Sequence, residues 1–506
     1  MPPPRPGQRP QIRDGWRSLG AAAACGLALA SAAPPRVLGQ DASLPTAGSL
    51  LRPALPSGGQ LPPSVKAPRK PIFPTKSTRQ KPVEGVALAP TIAPAATPQG
   101  LGLVPVQKRA PPLAPPPPPP RRKPKPEDDP WAPIGFRSGG LVLKPAIQVD
   151  GGYDSNPNQF SGPHKGSSVV ALGGAVDLAS DWSRHSLTGA WRGALFRFPQ
   201  DSSANRPDSE GRATLRLDVL RDTSVEIGAS HVVTSQRPGS IEQPELSAKR
   251  SLIFTEGGSL GVEQRFGRFE LKLKGALGRT DYQDVTLENG TLLSQADRNY
   301  DTHGVSLRAS YEATPGVKPF VQGTWDERIY DQPIDAGGYA RSSNGATATL
   351  GTTLEFSRLL TGDIAAGYGQ RNYQDPRLAP LRGPVIDGSL IWTPTPLTTV
   401  KFRAATSLEE TTVSNATGAV AQTVGVEIDH ALRRNLTLSA AVVFTRTEYQ
   451  GVSIREDQMN LAARLEYKLT RSVVLRASAV HQRLNSTVTG NDYTANVFLV
   501  GLRFQH

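Results

Sequence analysis

The sequence predicts an all-β fold: a transmembrane, antiparallel up-and-down β-barrel of about 18 strands, preceded by a disordered Pro-rich arm. Three observations predict it. Segments of about ten residues alternate apolar with polar side chains, short and long connections alternate between them, and no run of about 18 apolar residues exists to cross a membrane as a helix. A chain exported without apolar helices is either soluble or a barrel.

The final residues set the pattern. Leu461, Ala463, Leu465, Tyr467 and Leu469 alternate with Ala462, Arg464, Glu466 and Lys468, a period of two that defines a strand. After Thr470–Ser472, Val473, Leu475, Ala477 and Ala479 oppose Arg476, Ser478 and Gln482, and Phe498, Val500, Leu502 and Phe504 oppose Gly501, Arg503 and Gln505. One face is continuously apolar and the other carries charge in nearly every strand. A soluble sandwich would bury the apolar face, whereas a barrel in lipid turns it outward around a polar lumen.

Taken in order, residues 1–39 read as a signal peptide. Arg5, Arg9, Arg13 and Arg17 form a positive start, Leu19–Ala33 an apolar run too short to span a bilayer, and Ala30–Ala32 or Val37–Gly39 a cleavage site. Cys25 is the sole cysteine, with Ala22 where a lipoprotein signal carries a large aliphatic residue, so it reads as an ordinary signal residue. The mature chain then has no thiol, which excludes disulfides and cysteine metal sites.

Residues 40–137 form the arm. Of 47 prolines, 32 lie in residues 1–137, and that segment carries 19 basic against 6 acidic residues, leaving 38 of each for residues 138–506. The basic pI therefore belongs to the N-terminal segment. The run Pro115–Pro120 followed by Arg121–Pro126 implies disorder and polyproline II, an extended periplasmic tether. Lys108–Lys125 could also hold an anionic periplasmic surface or partner, although a solvated spacer is the simpler expectation.

Residues 138–506 are the barrel. Eighteen alternating segments fall near 140–152, 168–180, 185–198, 210–221, 223–235, 250–265, 268–282, 301–313, 317–330, 344–357, 361–373, 384–394, 398–411, 420–432, 435–449, 455–469, 472–485 and 493–505. Short links such as Arg221-Asp222, Phe266-Gly267, Arg358–Leu360 and Arg433-Arg434 alternate with long polar ones such as Ser155–Gly166, Ser235–Arg250, Asp284–Tyr300 and Asp331–Ser343. An even strand count puts both ends of the barrel on the short-turn, periplasmic side. Two aromatic girdles are expected on the lipid face. Trp182, Phe266, Phe269, Tyr311, Phe320, Phe356, Trp392, Tyr467 and Phe504 mark the short-turn end, and Tyr153, Tyr282, Tyr330, Tyr373, Tyr449 and Tyr493 the other.

The predicted register turns one set of charges inward: Arg212, Arg216, Asp218, Glu226, Glu263, Arg265, Glu270, Lys272, Lys274, Arg308, Glu312, Asp326, Arg328, Lys401, Arg403, Glu427, Asp429, Arg464, Glu466, Lys468, Arg476 and Arg503. They either line a water-filled passage or pair along the wall and stiffen it. Their mixed signs argue against a strongly selective pore. Gly257–Gly261 matches G-x-S-x-G but lies within a strand, where no nucleophile elbow forms. The histidines, His164, His185, His231, His303, His430, His481 and His506, lack metal-site spacing. No enzyme activity, cofactor, metal or nucleic-acid partner is expected.

Asp129–Arg137, with Pro-Ile-Gly-Phe-Arg, the Lys144-Pro145 pair, and Gly152–Pro157 together resemble the opening of the putative beta-barrel porin 2 family. The resemblance covers about residues 130–506 and implies a barrel in a Gram-negative outer membrane, contacting lipid and lipopolysaccharide. It implies little about cargo, with similar proteins found in exopolysaccharide export systems. Tyr153–Pro157 also reads as a turn that ends the first strand. The last strand would be read by the barrel-assembly machinery, but Gln505 and His506 follow Phe504 where a terminal aromatic is usual. Three functions follow: a passive channel for small hydrophilic solutes, an exopolysaccharide export barrel, or a structural or adhesive anchor with a filled lumen.

Overall fold

The computed structural model describes residues 130–506, apart from 243–248, 288 and 358 and the side chains of 356 and 357. The signal 1–39 with Cys25, the arm to residue 129, the girdle position of Phe356 and the link residue Arg358 lie outside the described residues.

The short strand β1 (Phe136–Ser138) precedes the wall, which runs β2 (Leu141–Asp154), β3 (Ser167–Ser180), β4 (Ser186–Arg197), β5 (Arg206–Asp218), β6 (Thr223–Ser235), β7 (Leu252–Phe266) and β8 (Phe269–Tyr282). A small hairpin, β9 (Val285–Thr286) and β10 (Leu292–Leu293), stands in the next loop. The wall resumes with β11 (Tyr300–Tyr311), β12 (Val317–Tyr330), β13 (Ser343–Ser357), β14 (Leu360–Tyr373), β15 (Leu381–Thr395), β16 (Thr398–Glu409), β17 (Gly418–Arg433), β18 (Leu436–Gln450), β19 (Ile454–Lys468), β20 (Val473–Ser486) and β21 (Tyr493–Gln505).

Wall strands pair antiparallel with their chain neighbours, and β2 pairs with β21, so eighteen strands close into a barrel. Each predicted segment corresponds to one of them. The largest shift is at β5, which begins at Arg206, four residues before the expected start. Closure removes every free edge, which is what a sheet in lipid requires.

Alternation sorts the faces as expected. Leu271, Leu273, Leu307, Val321, Leu350, Val424, Phe498 and Val500 are exposed on the outer face, between 42% and 65%. A charge in that band costs about 2–4 kcal/mol at mid-depth, which is why the charged residues take the other parity. Short turns at one end are as tight as two residues: Gly267, at φ +62°, supplies the left-handed conformation between Phe266 and Phe269. Gly257–Gly261 lies in extended β7, so the serine motif is a strand segment.

The seam explains two features of the sequence. β21 reaches only as far as Gln505 opposite Ala146, which leaves the start of β2 without a partner on that side. β1, which the sequence places in the arm, folds back and fills the gap, pairing Phe136 with Leu143 and Ser138 with Leu141. His506 donates its backbone N–H to the Pro145 carbonyl at 3.2 Å and stacks its ring on Phe136 at 4.3 Å. Pro145 thus turns its hydrogen-less nitrogen to the junction between β1 and β21, where no donor is needed. The chain end after Phe504 is a fastening between the two ends of the barrel.

Candidate functional site: the lumen

The inner face has two layers of different character. Toward the short-turn end, charges on adjacent strands pair in a belt. Arg216 meets Asp218 at 3.0 Å and Glu263 at 3.8 Å, and Arg265 meets Glu263 at 2.8 Å and Glu270 at 3.2 Å. Lys272 and Lys274 approach Glu226 at 3.5 and 3.9 Å. Gly261 stands in register between Glu226 and Lys274, leaving their side chains room to meet across two strands. Arg308 lies over the Phe320 ring at 3.4 Å and reaches Asp363 at 2.9 Å. Lys401 is held by Glu427 and Asp429, each at 2.9 Å, while Glu466 takes Arg476 at 3.1 Å and Arg464 at 3.6 Å.

Most of the predicted lumen residues therefore pair along the wall. Arg212 and Arg403 are exposed on the inner face, and Lys468 ends β19. Glu312 lies one residue beyond β11, its N–H bonded to the Arg268 carbonyl at 2.9 Å, so it belongs to a turn. Asp326 and Arg328 belong to the other layer. Sequence reading missed the pairs Arg192–Asp177 (3.0 Å) and Lys318–Glu355 (3.5 Å), although strand parity places all four inward. Some side chains in this belt keep contact with solvent, Asp218 at 42% and Arg265 at 39%, whereas Glu263, Lys274, Arg464 and Arg476 are buried.

Toward the long-loop end the lumen is packed. Tyr282, Tyr300, Tyr330, Tyr449 and Tyr493 point inward and are at most 7% exposed, and Tyr373 shares their parity. This corrects the expected upper girdle, of which Tyr153 alone, at 51%, is exposed on the outer face. Parity carried the signal: Tyr330 is in phase with inward Arg328, and Tyr282 with Lys274. The lower girdle stands at Trp182, Phe266, Phe269, Tyr311, Trp392, Tyr467 and Phe504, all exposed, whereas Phe320 is buried inward beneath Arg308.

The tyrosines are roofed by loops that fold in. Ile253, Tyr282, Tyr300 and Tyr330 form one cluster, with the Tyr300 and Tyr330 rings 5.3 Å apart and Arg298 over Tyr282 at 4.1 Å. Glu410, fully buried, accepts from Arg328 at 2.9 Å and from Ser343 Oγ at 3.0 Å, with Arg371 at 3.5 Å. Arg371 also pairs with Asp326, and Arg341 with Asp335. Losing one member of such a buried set leaves an uncompensated charge.

The described residues of the connection between β6 and β7 make contacts across the mouth. Arg237 donates to the Asn491 side chain at 3.0 Å and to the Gln159 carbonyl at 3.2 Å, and Arg250 to the Pro157 carbonyl at 2.9 Å. Ile241 packs against Ala416, Ala419 and Tyr449. Glu242 accepts from Thr411 Oγ1 at 2.5 Å, and from the Thr412 backbone N–H at 2.9 Å and Oγ1 at 2.8 Å. Thr411 and Thr412 precede β17, half-way round the wall from β6.

The Tyr153–Pro157 stretch ends β2 at Asp154 and starts the following loop, and it anchors this roof. Asp154 accepts the Asn156 N–H at 2.9 Å, and Asn156 donates to the Phe160 carbonyl at 2.8 Å and the Thr494 carbonyl at 3.1 Å. Ser155 and Asn496 bond in both directions across the seam.

The family model described as Putative beta-barrel porin 2 matches residues 129–506. Among solved structures, the chain is similar to Acinetobacter baumannii OccAB4 (12% identity, TM-score 0.38, 72% of this chain and 98% of that one) and Pseudomonas aeruginosa OpdQ (10%, 0.35, 72% and 98%). It is also similar to the siderophore receptor PirA from Pseudomonas aeruginosa (9%, 0.34, 72% and 80%). Scores this low carry no argument beyond the statement of likeness. No curated protein matches the chain.

Proposed function

The chain belongs to the Putative beta-barrel porin 2 family, porin-like barrels of the outer membrane, and from that premise we propose a passive channel for small hydrophilic solutes. One observation carries the reading: several charges facing the lumen at the short-turn end, among them Asp218, Arg265, Glu427 and Asp429, stay open to solvent, as a water-filled passage requires and a filled core does not. The short-turn end then faces the periplasm, where the arm read from residue 40 onward would attach as a tether, and Arg237–Glu242 of the β6–β7 connection narrow the extracellular mouth. No covalent chemistry is involved.

The packed tyrosine layer favours a second reading, an anchor with a filled lumen. Planar-bilayer conductance of the purified full-length protein separates them. Steady conductance of small ions supports the channel, and block by an added polysaccharide would favour polymer export. Silence under all applied voltages would overturn both transport readings and leave the anchor.

A further inference from the structure

The turns of the short-turn end carry charge mostly of one sign. Arg137 meets Asp181 at 3.4 Å, Arg184 donates to the Asp218 and Val219 carbonyls, and Arg471 donates to the Pro130 carbonyl. Four further arginines, Arg221, Arg268, Arg433 and Arg434, are exposed, and among the described residues their side chains make no ion pair or hydrogen bond. The other carboxylates of these turns, Asp222 and Glu312, form no ion pair, so the rim keeps an excess of guanidinium charge. Residues 1–137, with 19 basic against 6 acidic residues, bring no surplus of carboxylate to it. The long-loop end differs. There Arg279 holds Asp331 at 2.6 Å, Arg377 holds Asp375 at 2.6 Å and Arg446 holds Asp457 at 2.7 Å.

Each of the four arginines stands beside an apolar side chain that is itself exposed. Leu220, at 65%, precedes Arg221, while Phe266 and Phe269, at 58% and 60%, flank Arg268. Leu432, at 50%, precedes Arg433 and Arg434. Trp182, Tyr311 and Trp392 of the lower girdle stand at the same end, the level at which headgroups begin. A soluble acidic polymer would satisfy the guanidiniums and leave the leucines and phenylalanines in water. A phospholipid offers acyl chain to the one and phosphate to the other, and a planar guanidinium fits phosphate oxygens in pairs.

We propose that Arg221, Arg268, Arg433 and Arg434 bind the phosphates of anionic phospholipids, so that the short-turn rim selects such lipids from the leaflet it faces. The proposal rests on the functional reading above only in making that leaflet the periplasmic one, and the contact needs no open channel.

Full-length protein in detergent is titrated with phosphatidylglycerol and, separately, with phosphatidylcholine, and bound lipid is counted by native mass spectrometry. The wild type is compared with the triple variant Arg268→Gln, Arg433→Gln, Arg434→Gln. A second triple variant, Arg197→Gln, Arg382→Gln, Arg483→Gln, takes the same charge from exposed positions at the long-loop end. The arm is common to all three proteins, so differences among them report the rims. The wild type binds phosphatidylglycerol about fivefold more tightly than phosphatidylcholine, as one arginine at a membrane surface supplies. The first variant loses that preference and the second keeps it. A preference absent from the wild type, kept by the first variant or lost equally by both overturns the proposal. The wild type alone gives a further reading: its preference shrinks as salt is added, and a preference indifferent to salt overturns the electrostatic contact. Calorimetric binding of a soluble polyuronate, lost in the first variant, with no lipid preference in the wild type, overturns the lipid in favour of a periplasmic polyanion. Silence in bilayers with the lipid preference intact overturns the channel and spares the rim.

Discussion

The two halves of the lumen use the same residue types for opposite ends. At the short-turn end, Lys401, Glu427 and Asp429 pair within reach of water, so their charges are cheap to keep and contribute little to stability. At the long-loop end, Arg328, Arg371 and Glu410 pair under tyrosines and loops, where desolvation makes an intact set tolerable and a broken one costly. A barrel interior can therefore be a hydrated passage at one level and a packed core at another.

The sharpest way to break that contrast is Glu410→Ala, which removes the ion-pair partner of buried Arg328 and leaves buried Arg371 with Asp326 alone. It is expected to destabilise the barrel by about 3–5 kcal/mol, read as a lowered midpoint for loss of the compact band in heat-modified electrophoresis. A shift no larger than that of a belt variant would remove the distinction between the halves.

Next in size is Glu242→Ala. It removes three of the hydrogen bonds that tie the β6–β7 connection across the mouth, at a local cost of about 1–2 kcal/mol. The unfolding midpoint should barely move while single-channel conductance rises. Unaltered conductance would mean that the loop does not limit flow.

Lys401→Met sets the lower bound of the mutational series. Its two partners stay partly hydrated, so the cost is at most about 1 kcal/mol, and a midpoint shift several times larger would show the belt to be structural after all.

The smallest effect concerns pH. Hydrogen bonds from Arg279 hold Asp331 below the usual carboxylate range, and those from Arg377 do the same for Asp375, both in loops of the long-loop end. A carboxylate whose folded value is depressed contributes stability above its unfolded value and loses it as pH falls through the folded one. The loop contacts should therefore persist at a pH of about 4 and loosen only below it. Conductance traces from pH 7 down to about 4 check this, and a change in open level near pH 5 would contradict it.

Strand identity was legible because a strand in lipid has only two environments, and the period of two sorts residues such as Leu465 and Arg464 between them without reference to any other strand. Inward charge was legible for the same reason. The partners were less so: Arg308 reaches Asp363 three strands away, and Arg192 passed unnoticed among small neighbours although its parity was plain. The tyrosines were misassigned because their position near strand ends was weighed above their phase.

By itself, the sequence determined the barrel, its strand count, the outward apolar band and the inward set of charges, since each follows from local alternation and from the need to satisfy every backbone group in lipid. The tertiary structure alone decided what fills the lumen. Whether Tyr300 is wet or roofed, whether Glu242 meets Thr411 on the far side, and whether Phe136 meets His506 at the seam all depend on closure of the wall, which brings together residues hundreds of positions apart.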